Sequence, residues 1–254
     1  MPRLVKTPSE IAKIAAAGKI LAAVMREVAG LVRPGVSLSS LDDAAYRLIT
    51  EAGAKPAFLG YRPSGSARAY PASICASLND VVVHGVPSGR ILREGDVLKL
   101  DFGLKRGGFF TDAALTVGVG KISAEAARLI KVTKEALELA IKECRPGKTL
   151  GDIGFVIDAH AKKNGFKTVR ELTGHGVGLE LHEDPVVPNR GKRGEGLRLE
   201  EGMVLAIEPM LSAGSEEIIQ TEDDAYATAD GAPSAHFEHT VAITPAGPLV
   251  CTKE

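Results

Sequence analysis

Apolar residues recur at steps of three and four through Ile11, Ile14, Gly18, Leu21, Met25, Val28 and Val32, which predicts an amphipathic helix that buries one stripe. Thr7-Pro8-Ser9-Glu10 supplies its start: a capping hydroxyl, proline at the first helical position, and glutamate three residues after the cap. Further helices are predicted over Leu38 to Glu51, Ser123 to Lys142 and Leu150 to Asn164. Between them lie stretches rich in strand formers: Ser73 to Val83, Val97 to Phe102, Gly108 to Val117, Met203 to Pro209, and Phe237 to Thr244. Helix pairs alternating with groups of strands predict an α+β fold in which helices cover a curved sheet.

Two patterns occur twice. Leu92-Arg93-Glu94-Gly95-Asp96-Val97-Leu98-Lys99-Leu100-Asp101 is echoed by Leu199-Glu200-Glu201-Gly202-Met203-Val204-Leu205-Ala206-Ile207-Glu208. Each reads as a glycine turn leading into a short buried strand, and each ends in an acid where the apolar pattern should continue. Upstream, Arg33-Pro34-Gly35-Val36-Ser37-Leu38 recurs as Arg145-Pro146-Gly147-Lys148-Thr149-Leu150. Chance similarity between turn-strand segments is the competing explanation, but both echoes fall in the same order at similar offsets. The chain is therefore read as one domain over 1–254, duplicated as about 1–120 and 121–254, with each half delivering acid to a shared centre.

With 254 residues and 44% hydrophobic content, the chain has ample material for a core. Lys+Arg (31) balance Asp+Glu (32), so a net charge of -1 gives no wholesale nucleic-acid or membrane electrostatics. No signal-peptide core and no run of about 18 apolar residues occurs, so a cytoplasmic protein is expected. Cys75, Cys144 and Cys251 are too scattered for a disulfide framework or a zinc-finger spacing and read as reduced thiols. The loops Arg62 to Ala69 and Asn189 to Gly196 read as surface or rim segments.

Asp101 and Asp112 flank the turn residues of Leu104-Lys105-Arg106-Gly107-Gly108-Phe109. If Arg106-Gly107 is a two-residue hairpin loop, the two acids stand directly opposite, with Cβ atoms about 4.5–5.5 Å apart. Ionised acids there repel, and either a shared proton or a divalent cation must neutralise them. Glu208, Glu238 and His175, the last in Gly174-His175-Gly176, supply further ligands. Glycines beside His175 are read as leaving space for a bulky centre. Four acids and one imidazole suit two ions about 3.5–4 Å apart, bridged by carboxylates.

His84 and His182 each sit where a strand is expected to give way to a Gly/Pro turn, a site from which a side chain reaches into a cleft. His160 reads as a surface helix residue, while His236 and His239 flank Glu238 as partners of the ligand set.

These residues resemble the type I methionine aminopeptidases, metal-dependent enzymes of the pita-bread (creatinase/aminopeptidase) fold, whose halves are related by a pseudo-twofold axis. The most specific piece is Ser73-Ile74-Cys75-Ala76-Ser77-Leu78-Asn79-Asp80-Val81-Val82-Val83-His84-Gly85-Val86-Pro87. Asp101, Asp112, Gly174-His175-Gly176, Ile207-Glu208-Pro209-Met210 and Glu238-His239-Thr240 are shared with proline-directed peptidases of the same fold.

The resemblance implies that Asp101, Asp112, His175, Glu208 and Glu238 hold two divalent metals (Co, Mn, Fe or Zn), with Asp112 and Glu238 bridging. It implies substrate and catalytic roles for His84 and His182, proton transfer by Glu208, and a methionine pocket beside Tyr61, Tyr70, Cys75 and Leu181. Leu181 stands where relatives often carry an aromatic residue, and Tyr226 near a position often held by tryptophan. The expected enzyme is a minimal, bacterial-type monomer that removes initiator methionine from nascent polypeptide N-termini, with a small second residue preferred. Contact with the ribosome is one setting for this work, and no DNA or membrane partner is expected. A proline-directed aminopeptidase or dipeptidase, and a non-catalytic peptide-binding module, are the alternatives.

Overall fold

The computed structural model describes residues 3–62 and 68–253. Among these residues four helices form where local capping signals place them. Helix α1 (Pro8–Gly30) opens on a capping box: the Thr7 hydroxyl accepts the Glu10 N–H at 3.3 Å, and the Glu10 carboxylate accepts the Thr7 N–H at 2.7 Å. Helix α2 (Leu38–Glu51) is capped by Ser37, α3 (Ala124–Glu143) by Ser123, and α4 (Leu150–Lys163) by a second capping box between Thr149 and Asp152. Each helix ends within two residues of its sequence expectation. Among the described residues no helix is long and apolar enough to cross a membrane.

The strands are β1 (Lys55–Pro56), β2 (Ile74–Leu78), β3 (Val81–Val83), β4 (Val97–Arg106) and β5 (Phe109–Gly118) after the first helix pair. After the second come β6 (Lys167–Thr168), β7 (Thr173–Gly176), β8 (Glu183–Pro188), β9 (Val204–Ile207), β10 (Met210–Ser212), β11 (Ile218–Gln220), β12 (Tyr226–Thr228), β13 (Ser234–His236), β14 (His239–Thr244) and β15 (Gly247–Val250). All strand pairings among the described residues are antiparallel: β4 lies between β5 and the β2/β1 edge, while β9 lies between β14 and β7. Leu21, Leu41 and Ile49 pack on Leu98, Leu100 and Phe102 in one core. In the other, Leu137, Ile153 and Ile157 pack on Leu205, Ile207 and Val241.

The two sequence echoes meet in space, and in the same way each time. Gly35 and Gly147 turn the chain at φ +91 and +87, and their N–H groups donate to the Leu92 and Leu199 carbonyls at 2.9 and 3.0 Å. Gly95 and Gly202 then turn at φ +96 and +89 into β4 and β9, a conformation glycine adopts without a Cβ penalty. The two sheets join where β5 meets the start of β14: the Glu238 N–H donates to the Ala114 carbonyl at 2.9 Å, and the Ala114 N–H returns a bond at 3.3 Å.

Three expected strands are broken. Ser73 to Val83 divides at Asn79, which adopts φ +52 while its side chain accepts the Val97 N–H at 2.9 Å and donates to Asp96 at 3.0 Å. Met203 to Pro209 stops at Ile207 because Pro209 has no N–H for a ladder. Phe237 to Thr244 begins only at His239, since the Glu238 backbone is committed to Ala114.

Candidate active site

The β4–β5 hairpin turns on Gly107-Gly108, with φ +57 and +88, one residue later than the expected Arg106-Gly107 loop. Positive φ at both central residues is what a tight primed turn demands, and only this pair of glycines supplies it. The register is therefore shifted by two residues: Asp101 pairs with Ala114 and Asp112 with Gly103. An even shift keeps both acids on one face. They stand diagonally rather than directly opposed, each facing a small residue that leaves room at the centre.

Glu208 and Glu238 come from the break between strands. Met210 pairs with His236 on one side of it and Ile207 with His239 on the other, and the same register carried through places Glu208 opposite Glu238. His175 on β7 lies beside Ala206 of β9. Its Nδ1–H donates to the Gly176 carbonyl at 2.9 Å, which leaves the Nε2 lone pair facing inward. Nε2 is 3.5 Å from Glu208 Oε1 and 4.0 Å from Asp112 Oδ2. Asp101, Asp112 and Glu238 each place one oxygen within 4.8 Å of the others, and His175, Glu208 and Glu238 form a second such group.

The glycines beside His175 have a different cause from the one expected. A Cβ on Gly174 would lie 2.3 Å from the Ala206 carbonyl oxygen, and one on Gly176 would lie 2.2 Å from that of Asp184. The close approach of neighbouring strands excludes side chains there, not the bulk of a bound group.

Burial pushes the Asp101 carboxyl up to about 6 and Glu208 up to about 7. Asp112 and Glu238 rise well above the ordinary carboxylate range through burial first and then the charge of the other acids. Asp101 Oδ1, Asp112 Oδ1 and Glu238 Oε1 are buried without a hydrogen-bond partner among the described residues. Orphaned oxygens converging with an imidazole lone pair are the donor set of a divalent cation site.

Sequence reasoning missed two supports of this set. Asn189, expected on the rim, is buried, and its Nδ2 donates to the Glu208 carbonyl at 2.9 Å. The remainder of that loop lies against the start of α4, where Gly151 leaves no room for a Cβ beside the Lys192 and Glu195 carbonyls. Thr240 grips the backbone of Asp112. His236 Nε2 sits 3.5 Å from Glu208 Oε2, as anticipated, whereas His239 turns away to Thr252 at 2.9 Å. His160 is half-buried against Glu135 at 3.2 Å rather than free on the surface. The three cysteines are free and buried.

A cavity of about 1360 Å³ opens over the acids, and His84, His182, Tyr61, Tyr70, Cys75 and Phe58 line it. His84 follows β3 at φ +63, with its ring 5.8 Å from that of Tyr226. His182 precedes β8 rather than ending a strand; its Nδ1 is 2.7 Å from the Tyr61 hydroxyl, and its ring centroid 4.3 Å from that of His175. Both histidines keep contact with solvent along the cleft. Its walls nonetheless hold each imidazole below its ordinary pKa, helped by His236 at His84 and by His175 and His84 at His182. Tyr61, Tyr70, Cys75 and Leu181 share one apolar cluster with Ala57 and Phe58, the last two unanticipated. Leu181 lies behind the cavity wall. In the Arg62 to Ala69 loop, residues 63–67 lie outside the described residues.

A cleft above a buried acid and imidazole cluster, carried on this α+β frame, defines a metallopeptidase. The chain belongs to metallopeptidase family M24, which it matches over residues 12–245. It is 49% identical to a methionine aminopeptidase of Aquifex aeolicus over 250 residues, 96% of each chain. It is 42% identical to methionine aminopeptidase 1 of Bacillus subtilis over 98% of each. The crystal structure of a Thermotoga maritima methionine aminopeptidase superposes with a TM-score of 0.94 at 42% identity, covering 100% of both chains. A Pyrococcus furiosus prolidase shares the pita-bread fold at a TM-score of 0.80 and 24% identity, with 66% of its chain covered.

Proposed function

We propose that this protein is a methionine aminopeptidase that hydrolyses the first peptide bond of nascent polypeptides in the cytoplasm and prefers a small second residue. The observation that carries this reading is the set of orphaned oxygens of Asp101, Asp112 and Glu238 converging with His175 and Glu208 at the floor of an apolar cleft. Near-full-length identity to methionine aminopeptidases supports the substrate, whereas the proline-directed alternative has a shared fold behind it.

Asp101, Asp112, His175, Glu208 and Glu238 would hold two divalent ions drawn from Mn, Fe, Co or Zn. Among the carboxylates, Glu238 and Asp112 each belong to two of three groups of converging ligand atoms, Asp112 sharing one with His175 and His182, which supports these two as bridges. When bound, such ions supply the Lewis acidity that lowers the pKa of water and polarises a carbonyl. Glu208 takes the proton from the attacking water and passes it to the leaving amine. With the Tyr61 hydroxyl donating to His182 Nδ1, 2.7 Å away, Nε2 would carry the ring proton and donate to the carbonyl oxygen as charge develops there. His84 orients the scissile amide from the opposite wall. The apolar face of Phe58, Tyr61, Tyr70 and Cys75 receives the flexible thioether side chain.

Mass spectrometry of Met-Ala-, Met-Leu- and Ala-Pro-headed peptides, incubated with the protein and Mn, Fe, Co or Zn beside an EDTA-treated control, tests this. Metal-dependent loss of methionine from Met-Ala alone is expected. Cleavage of Ala-Pro would move the protein to the proline-directed branch, and no cleavage with any of the four metals would favour a binding module.

A further inference from the structure

Lys6 precedes the first helix, where a lysine is ordinarily solvated, yet its side chain is 0% exposed and ion-paired to Glu183, itself 8% exposed. The pair joins residues 177 positions apart in the chain. Lys6 is fixed by its own N–H, which donates to the Gly202 carbonyl at 2.8 Å, and by the Val5 bridge to Met203 at the head of β9. Glu183 follows His182 directly. One of its oxygens accepts the backbone N–H groups of Leu179 and, at 2.8 Å, of Glu180, while the other meets the Lys6 ammonium.

The turn from Val177 to His182 is thus closed by the Glu183 carboxylate and seated on the first half of the protein. At Gly178, a Cβ would lie 2.8 Å from Ile14 Cδ1 and 3.2 Å from Lys6 Cε, so the turn packs directly against α1 and the lysine stem. The Phe110 N–H donates to the Gly178 carbonyl at 2.7 Å. His182 projects from this turn into the cleft, where Tyr61 is its side-chain hydrogen-bond partner.

We propose that Lys6 is a positioning residue for His182, acting through Glu183, so that the segment before α1 sets the geometry of an imidazole in the cleft. The inference rests on the role assigned to His182 above. Without the ammonium, the buried Glu183 carboxylate is left unpaired, which favours its turning to solvent and releasing the Leu179 and Glu180 N–H groups. A displacement of about 1 Å at a catalytic group costs about 10²-fold in rate.

The test measures kcat, KM and bound metal for the parent, Lys6→Met, Lys6→Arg, His182→Ala and the Lys6→Met/His182→Ala double variant on a Met-Ala peptide. Lys6→Met should lower kcat about 10- to 100-fold with metal content unchanged, and Lys6→Arg should recover part of the loss. Amide exchange at Leu179 and Glu180 should quicken in Lys6→Met. In the His182→Ala background the same change should cost nothing further, because the residue being positioned is gone. Losses that multiply in the double variant, or full kcat in Lys6→Met, overturn the proposal. Full kcat in His182→Ala overturns instead the role of His182 on which it stands. Should Lys6→Met not fold, Glu183→Gln keeps an oxygen for the two N–H groups but sets an amide against the ammonium. It should show the same loss, absent again when combined with His182→Ala, and undiminished kcat there overturns the proposal.

Discussion

Thr240 and Asp112 exchange two hydrogen bonds across the junction of the two halves: the Asp112 N–H donates to Thr240 Oγ1 at 2.9 Å, and Oγ1 donates to the Asp112 carbonyl at 2.8 Å. One hydroxyl does the work of a ladder rung, so the backbone beneath a proposed bridging carboxylate depends on a side chain 128 positions away. Thr240→Val keeps the shape and removes the oxygen. Two buried backbone groups then lose a partner, at about 1–3 kcal/mol of stability, and metal affinity should fall about 10- to 100-fold. Urea melts and metal titration check both, and unchanged affinity would show that the clamp does not set the ligand.

Asp112→Asn tests the carboxylate itself. The amide preserves volume but withdraws a negative charge and one ligand oxygen from a position buried among acids. The variant should fold, because in the metal-free protein it relieves repulsion, and should retain less metal after dialysis than the parent. Full metal content together with full activity would defeat the bridging assignment.

Much of this site is legible in the sequence because its signals are local. Helix starts at Thr7, Ser37, Ser123 and Thr149 need a few residues on either side, and acids at Asp101 and Glu208 stand out because they interrupt apolar strands. What was not legible depends on contacts between distant segments. The hairpin register turned on which of two adjacent glycine-containing pairs formed the loop. Asn189, Thr240 and Lys6 carry no local pattern; each looks like an ordinary polar residue until the fold buries it. The breaks at Pro209 and Glu238 follow from strands leaving one sheet for another, which periodicity along a single strand does not record.

Gly176→Ala should destabilise the protein by about 1–3 kcal/mol or more, since its Cβ would meet the Asp184 carbonyl at 2.2 Å and backbone does not yield cheaply. Gly30→Ala gives the contrast. Nothing lies within 4 Å of its added methyl in the last turn of α1, and a helical alanine should add about 0.4–1 kcal/mol. Equal and opposite assignments in denaturant melts would refute the close-approach reading of β7.

His84→Ala should lower kcat about 10²–10³-fold while bound metal stays constant, the loss typical of a removed transition-state donor. Alanine at φ +63 also carries a backbone cost, so His84→Asn, which tolerates that conformation, separates the two effects. Both variants should lose kcat. Wild-type turnover in either one removes His84 from the mechanism.

The acid cluster also fixes how stability responds to pH. In the metal-free protein Asp101 and Glu208 titrate at about 6 and about 7, whereas unfolded carboxyls titrate near pH 4. Between about pH 4 and those values the folded chain holds more protons than the unfolded one, so this cluster's contribution falls as pH rises through the window. Metal binding requires the same oxygens deprotonated, so stabilisation by metal grows over that range. The depressed His239, which faces Thr252 rather than the acids, weakens both forms alike on acidification and drops out of the difference. The gap in Tm between Mn-loaded and EDTA-treated protein should therefore be widest near pH 8 and narrow steadily towards pH 5. A gap that stays constant across that range would mean that the carboxylates do not carry raised pKa values in the metal-free protein.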